Sequence, residues 1–227
     1  MKITILMPAL DEEESIGETI RNVPSAELKK LGYDVEVLVV DGGSIDKTVE
    51  IAESLGVKVI RSERGYGRQY RLGFDKAQGE IIITADSDNS YPMKEIPAIL
   101  KILEKEDLDF ISTNRFSKLD KGSMRPLNYL GNIVLTFLTN FLFGLKLKDS
   151  QSGMWIFKKN ILDKINLTSN GMPLSQEIKI EAFKKLKSRE VDSSYKKRVG
   201  RVKLRMFKDG WDNLKYLIRK KFSPHSL

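Results

Sequence analysis

The sequence predicts an α/β fold, a mostly parallel sheet flanked by helices, on two observations. Short β-rich runs, several apolar on both faces, alternate through the first half of the chain with stretches whose apolar residues recur at helical spacing. Strand and helix in strict alternation build parallel, doubly wound sheets, and neither an internal repeat nor a low-complexity linker interrupts the pattern.

The elements follow in order. Lys2 to Met7 reads as a first strand rather than an export signal, because MKITILMPALDEEES passes from a short apolar run straight into acids. A helical pattern over Ser15 to Leu31 leads to a strand at Asp34 to Val40. The next helix, Ile45 to Leu55, has Ser44 as a natural N-cap and Gly56 as a natural stop. Val57 to Arg61, Glu80 to Ala85 and Asp109 to Thr113 are further strands, separated by helices at Tyr66 to Ala77 and Lys94 to Glu106. Beyond residue 116 come a basic turn, an uncharged helix from Pro126 to Leu145, a short strand at Trp155 to Phe157 and a helix near Ser175 to Leu186. A strand-like REVDSSY and a last helix around Lys208 to Lys221 complete the chain.

Composition narrows the chemistry. A chain of 227 residues with 41% apolar content suits one globular α/β domain with a C-terminal elaboration, and disorder, collagen and disulfide scaffolds are excluded. With no cysteine, thiol catalysis, Cys-ligated zinc and Fe–S clusters are excluded as well. The only histidine is His225, so a histidine base or a multi-His metal site is not expected. The net charge of +8 is concentrated at the end: residues 184 to 227 hold 15 Lys+Arg against 4 Asp+Glu, whereas residues 1 to 183 hold 24 against 27. Such a tail suits phosphates, on nucleic acid, on a membrane or on a substrate.

Ligands of open parallel sheets bind at the carboxyl ends of the strands, and those ends are polar here. The first turn lacks the glycines of a dinucleotide fold, and no P-loop motif occurs. The sharpest feature is Asp86-Ser87-Asp88 after the buried run IIITA. Two carboxylates one residue apart can share a hard divalent cation that keeps positions open for phosphates. Asp41, Glu12 and a turn at Gly65 to Arg68 are expected at the same edge.

Six ordered segments, MPALDEEESI, VVDGGSIDKT, GYGRQYRLGFDKAQGEIIITADSD, ISTNRF, DSQSGMWIF and YKKRVGRVKL, resemble the signature segments of family 2 glycosyltransferases with the GT-A (Rossmann-like) fold. Within that family the chain is similar to the polyprenyl-phosphate hexosyltransferases, the dolichol-phosphate mannose synthase type. The resemblance implies inverting transfer of a hexose from GDP-mannose, UDP-glucose or UDP-N-acetylhexosamine to a polyprenyl (dolichyl) phosphate, with Mg²⁺ or Mn²⁺. By the same resemblance Pro8, Leu10 and Glu12 line the nucleotide, Asp41 bonds the base, and Gly67, Arg68 and Ser87 join the donor site. Asp86 and Asp88 hold the metal on the diphosphate, with Ser90 where mannose synthases carry a glutamine; Gly42 stands where a second aspartate is usual. Arg115 and Arg125 match arginines that grip the acceptor phosphate and, with Asp88, are the expected catalytic residues. Arg198 and Lys203 match basic residues that close over phosphates, and Asp149, Gln151 and Ser152 a segment near sugar and acceptor. The implied division is a transferase domain over 1–205, with a nucleotide-sugar half (1–116) and an acceptor half (117–205), and a basic amphipathic helix or tail over 206–227.

A phosphate acceptor also agrees with the residues themselves. A phosphate monoester, with a second pKa near ~6, already offers an anionic oxygen, so no base is required, and forked arginines are suited to hold it. A hydroxyl acceptor remains the alternative, with Asp149 or Glu177 as base. A nucleic-acid-binding protein would not explain the carboxylates gathered at one edge, and a sugar-nucleotide pyrophosphorylase is weakened because the first strand is not followed by the Gly-rich phosphate loop which that reaction uses. Nucleic acid is therefore not an expected partner, whereas an anionic membrane surface is, on its cytosolic face. Pro126 to Leu145 contains Asn128, Asn132 and Asn140, costly in hydrocarbon, so it is expected as an interfacial helix or a packed core helix and not as a span. The last helix, with Trp211, Leu214, Leu217, Ile218 and Phe222 among lysines and arginines, reads as a basic amphipathic anchor.

Overall fold

A computed structural model describes residues 1–203 and 205–222; His225 and the rest of 223–227 lie outside them. Seven strands form one sheet in the order β3-β2-β1-β4-β6-β5-β7. They are β1 (Lys2–Ala9), β2 (Asp34–Asp41), β3 (Lys58–Arg61), β4 (Ile81–Thr84), β5 (Phe110–Leu119), β6 (Trp155–Lys158) and β7 (Ser188–Tyr195). β1 pairs parallel with β2 and β4, β2 with β3, and β5 with β7; β6 alone runs antiparallel, between β4 and β5. The fold is thus the mostly parallel α/β sheet expected.

Eight α-helices accompany the described strands: α1 (Ile16–Arg21), α2 (Ser25–Lys30), α3 (Thr48–Ser54), α4 (Tyr66–Lys76), α5 (Ile96–Lys105), α6 (Pro126–Phe143), α7 (Leu174–Lys185) and α8 (Met206–Phe222). The central strands are apolar on both faces because helices cover both. Ile3, Ile5 and Met7 of β1 pack with Ile16, Leu28, Ile96 and Leu100, while Leu6, Leu38 and Val40 pack with Tyr70, Phe74, Leu174 and Ile178. β4 is buried at all four positions. Fully burying each such side chain contributes roughly 1.5–3 kcal/mol, which fixes the register of the strands that carry the site.

Two local expectations are corrected. The helix expected over Ser15 to Leu31 is two helices, because Pro24 lacks an N–H and restricts the residue before it, so the chain turns at Asn22–Pro24 and restarts at Ser25. Ser44 does not cap α3, which begins at Thr48 behind Asp46, whose carboxylate accepts the Thr48 N–H at 3.0 Å. The Ser44 hydroxyl instead donates to Asp41 and accepts the Asp11 N–H at 2.8 Å, tying the β2 turn to the β1 turn. Gly56 does stop α3, with φ +73.

α6 is not a core helix. Thr136, Thr139 and Phe143 are buried, but Leu127, Leu130, Val134, Phe137 and Phe141, spaced three and four apart, form an exposed stripe. Its inner face joins Leu217 of α8 and Ile180 of α7 in a small separate core. α8 likewise buries Leu217 while exposing Phe207, Trp211, Ile218 and Phe222. No helix among the described residues is long and apolar enough to cross a membrane.

Candidate active site

The carboxyl ends of β1, β2 and β4 converge where the sequence places its acids. The turn after β4 is anchored from two sides: the Ser87 carbonyl accepts the Thr19 hydroxyl at 3.0 Å, and the Ser87 hydroxyl donates to the Pro8 carbonyl. Asp88 is aimed by Ser90, whose N–H donates to its Oδ1 at 3.0 Å and whose hydroxyl bonds the same oxygen. Burial first and the Asp88 carboxylate second raise the Asp86 carboxyl above its usual range, against the pull of Arg198 and Arg115. Two carboxylates pressed together at a desolvated edge fit a hard divalent cation. Among the described residues no third Asp, Glu or His joins them in a metal-binding group.

Cations reach this edge from two directions. From β5 comes Arg115, whose Nε and Nη2 donate to the Asp149 carboxylate at 2.7 and 3.0 Å, the two side chains being 8% and 0% exposed. Its guanidinium also lies 5.2 Å from the Tyr195 ring centroid. Asp149 is held in turn: its carbonyl accepts the Nζ of fully buried Lys179 at 2.6 Å, and its N–H donates to Glu190 at 3.0 Å. Burial works to raise the Asp149 carboxyl, yet Arg115, through charge and hydrogen bonds, and Lys179 hold it down at about 2. Burial lowers Lys179 to about 8.

From the other side, residues 196–203 cross the site as a basic strap. Its backbone is stitched to the β4 turn, Lys196 N–H to the Ser90 carbonyl at 3.0 Å and Val199 N–H to the Asp88 carbonyl at 2.9 Å. Its side chains meet Glu12: Arg198 at 2.9 Å and Lys203 at 2.6 Å, with a second Arg198 nitrogen 3.5 Å from Asp88. These cations are 20% and 24% exposed.

Two cavities adjoin here. One, of about 520 Å³, is lined by Pro8, Leu10, Glu12, Gly65, Gln69, Asp86, Ser87, Asp88, Arg198 and Lys203. The other, of about 690 Å³, is lined by Arg115, Arg125, Gln151, Tyr195 and the start of α6 at Leu127, Asn128 and Gly131. Asp86, Asp88, Tyr66 and Arg198 border both, so the two carboxylates stand in the wall between them. A larger hollow, of about 1160 Å³, opens at the opposite edge of the sheet around Met1, Gly79 and Glu80 and takes no part in this constellation.

The remaining expected residues lie apart from the cavities. Asp41 is 1% exposed and its carboxylate closes its own turn, accepting from Gly43 N–H, Ser44 N–H and the Ser44 hydroxyl. Arg68 pairs with Glu63 at 2.6 Å on the surface. A Cβ on Gly67 would stand 2.2 Å from the Ser169 carbonyl oxygen, so this glycine serves close packing of α4 against the 169–170 backbone. Ser152 is buried, its hydroxyl 2.7 Å from that of Thr113, and Asp149 lies behind Arg115. Asp149 and Glu177 are both committed as well: Asp149 to Arg115, and Glu177 to the N–H groups of Thr168 and Ser169, each at 2.9 Å. Neither is free to act as a base.

Sequence reasoning missed Lys179 and Gln69. α7 is buried continuously from Leu174 to Ala182, Gln176, Glu177, Lys179 and Glu181 included. The sequence signal was there, a helix without a polar face, but polar residues at most of its positions disguise it.

The model of the family described as glycosyl transferase family 2 matches residues 4–166. A low-salt glycan biosynthesis hexosyltransferase of Haloferax volcanii is 33% identical over 95% of this chain, which spans 53% of that protein, about half its length. A dolichyl-phosphate hexose transferase of the same organism is 31% identical over 92% of this chain and 89% of its own. Among solved structures, a glucosyl-3-phosphoglycerate synthase from Mycobacterium tuberculosis, in complex with Mn²⁺, UDP and glucosyl-3-phosphoglycerate, superposes with a TM-score of 0.76. It is 19% identical and covers 97% of this chain and 79% of its own, a likeness of fold.

Proposed function

We propose that this chain, which belongs to glycosyl transferase family 2, transfers a hexose from a nucleotide sugar to a polyprenyl phosphate at a membrane surface. The observation that carries the reading is the pair Asp86 and Asp88 in the wall between two cavities, with Arg198 and Lys203 lining one and Arg115 and Arg125 the other. The 520 Å³ cavity is the donor site, where Asp86 and Asp88 would hold Mg²⁺ or Mn²⁺, Ser90 orients Asp88, and Arg198 and Lys203 exchange Glu12 for phosphate oxygens. The bound metal supplies charge neutralisation for the departing diphosphate. The 690 Å³ cavity is the acceptor site, where Arg115 and Arg125 hold the lipid phosphate and Gln151 lines the space between.

The step balances without a base. An anionic oxygen of the acceptor phosphate attacks the anomeric carbon from the face opposite the diphosphate, the carbon–oxygen bond to the donor breaks, and its electron pair leaves with the diphosphate. An acceptor already ionised near pH 7 has no proton to give up. Arg115 is suited to this role because Asp149 fixes two of its nitrogens and so prepays the ordering of the fork.

The exposed stripes of α6 and α8 belong to the same reading. The acceptor cavity opens along the start of α6, next to Leu127 and Leu130, so a polyprenyl chain could stay in the bilayer while its phosphate enters. Residues 1–116 then form the donor half and 117–205 the acceptor half, with Arg198 and Lys203 reaching back, and 206–227 the anchor. The likeness to the dolichyl-phosphate hexose transferase, over 89% of its length, supports a polyprenyl-phosphate acceptor.

The test is transfer of labelled sugar from GDP-mannose, UDP-glucose and UDP-N-acetylglucosamine, in parallel, with Mg²⁺ or Mn²⁺, into an organic-extractable product. Label is expected in a short polyprenyl phosphate and not in the matching polyprenol. Transfer to the polyprenol, or to a glycan hydroxyl alone, would refute the phosphate acceptor.

A further inference from the structure

We propose that Gln69, and not Asp41, reads the base of the donor, accepting at its Oε1 the imide N–H that uracil carries at N3 and guanine at N1. This rests on reading the 520 Å³ cavity as the nucleotide-sugar site. Gln69 projects from α4 into the gap between the ends of β1 and β2, where its Nε2 donates to the Ala9 and Val40 carbonyls, each at 2.8 Å. Two carbonyl acceptors on one side of the amide can be satisfied only by its NH₂ group, so the orientation is set by chemistry. Oε1 is then turned away from both strands, and among the described residues no side-chain or backbone donor bonds it. Gln69 is 5% exposed and lines the cavity, whereas Asp41 does not line it and spends its carboxylate on its own turn.

Gly42 completes the arrangement. A Cβ there would stand 2.9 Å from the Gln69 amide carbon and 3.0 Å from its nitrogen and oxygen, so the amide fills the space a side chain at 42 would need. The missing side chain and the amide are therefore one device, which presents a single neutral acceptor at the β1–β2 end of the cavity, with Asp86 and Asp88 farther along its wall. A fixed acceptor favours bases with an imide N–H over cytosine and adenine, whose ring nitrogens at the equivalent positions are themselves acceptors.

The experiment is a calorimetric titration of the full chain, with Mn²⁺, against UDP, GDP, CDP, ADP and 3-methyl-UDP. UDP or GDP is expected to bind at least about tenfold more tightly than CDP and ADP, and 3-methyl-UDP to lose a similar factor against UDP. In Gln69→Met these preferences should shrink to within about threefold while the common, phosphate-derived affinity remains. Gly42→Ala, which displaces the amide without removing it, should shrink them part of the way. Equal binding of UDP and 3-methyl-UDP by the natural chain, or full discrimination kept by a folded Gln69→Met variant, would overturn the role of Gln69 and leave the donor site standing. Failure of every nucleotide to bind would overturn the donor site and this inference together.

Discussion

Two sets of cations face Asp86 and Asp88, and they are held in opposite ways. Arg115 is locked from behind, its fork bound by a fully buried Asp149 that Lys179 and Glu190 support in turn. Arg198 and Lys203 are held from in front by Glu12, at two to three times the exposure, in the cavity where donor phosphates are proposed to lie. A partner behind a cation orients it and stays; a partner in front must be displaced by the ligand. The molecule therefore pairs one prepaid phosphate grip with one exchangeable grip, either side of the same two carboxylates.

The largest effect should come from the element both grips share. Asp88→Asn is expected to lower metal-dependent turnover by about 10³-fold, since it removes a charge aimed at the diphosphate, and to leave the thermal midpoint nearly unchanged. Steady-state rates with and without EDTA, beside a thermal melt, check it. Full activity in that variant with EDTA present would contradict the site assignment.

The fixed grip is broken next. Asp149→Ala leaves Arg115 buried without its counter-charge and should cost roughly 3–5 kcal/mol of stability, read by urea unfolding. The pH dependence has a definite sign. Asp149 is held at about 2, below the ordinary carboxylate value near ~3.9, so its contribution is complete above that value and is lost as pH falls from about 4 toward about 2. The stability gap between the natural chain and the Asp149→Ala variant should narrow across that window; a gap that is constant from pH 6 to 2.5 would show that Arg115 is not what Asp149 holds.

The exchangeable grip should yield more gently. Glu12→Gln is expected to cost no more than ~1 kcal/mol of global stability, because its partners are partly exposed. Loosening the strap by that amount should speed tryptic cleavage within 196–203 by about fivefold, with donor nucleotide and metal restoring protection. Cleavage unaffected by the substitution would mean that the backbone bonds from Lys196 and Val199 alone keep the strap closed.

Much of this contrast was legible in the sequence, and the part that was not has a common cause. The alternating strands and the Asp86–Asp88 pair stand in short segments whose local pattern dictates placement at strand ends, whereas Arg115, Arg198 and Lys203 were singled out by the resemblance of their segments to those of the family. Pro24 breaks the helical spacing on either side of it, a local signal that divides α1 from α2. Lys179, Gln69 and the commitment of Glu177 were not legible, because each depends on what a helix meets across the sheet rather than on its own periodicity. A lysine flanked by Ile178 and Ile180 reads as solvent-facing until α7 is seen to be covered on every side. Likewise Asp41 is a natural ligand by position, and only the geometry of its turn reveals that its oxygens are already spent. Sequence reports which groups reach an edge; which are free there is decided by partners distant in the chain.

The most direct test of the two grips is a pair of KM measurements, each substrate varied with the other saturating, on Arg115→Lys and Arg198→Gln. Arg115→Lys keeps the charge but loses the fork, and should raise KM for the polyprenyl phosphate by about tenfold while leaving the donor value within about twofold. Arg198→Gln should do the reverse. Both substitutions acting on the same substrate would contradict the division of one acceptor grip and one donor grip.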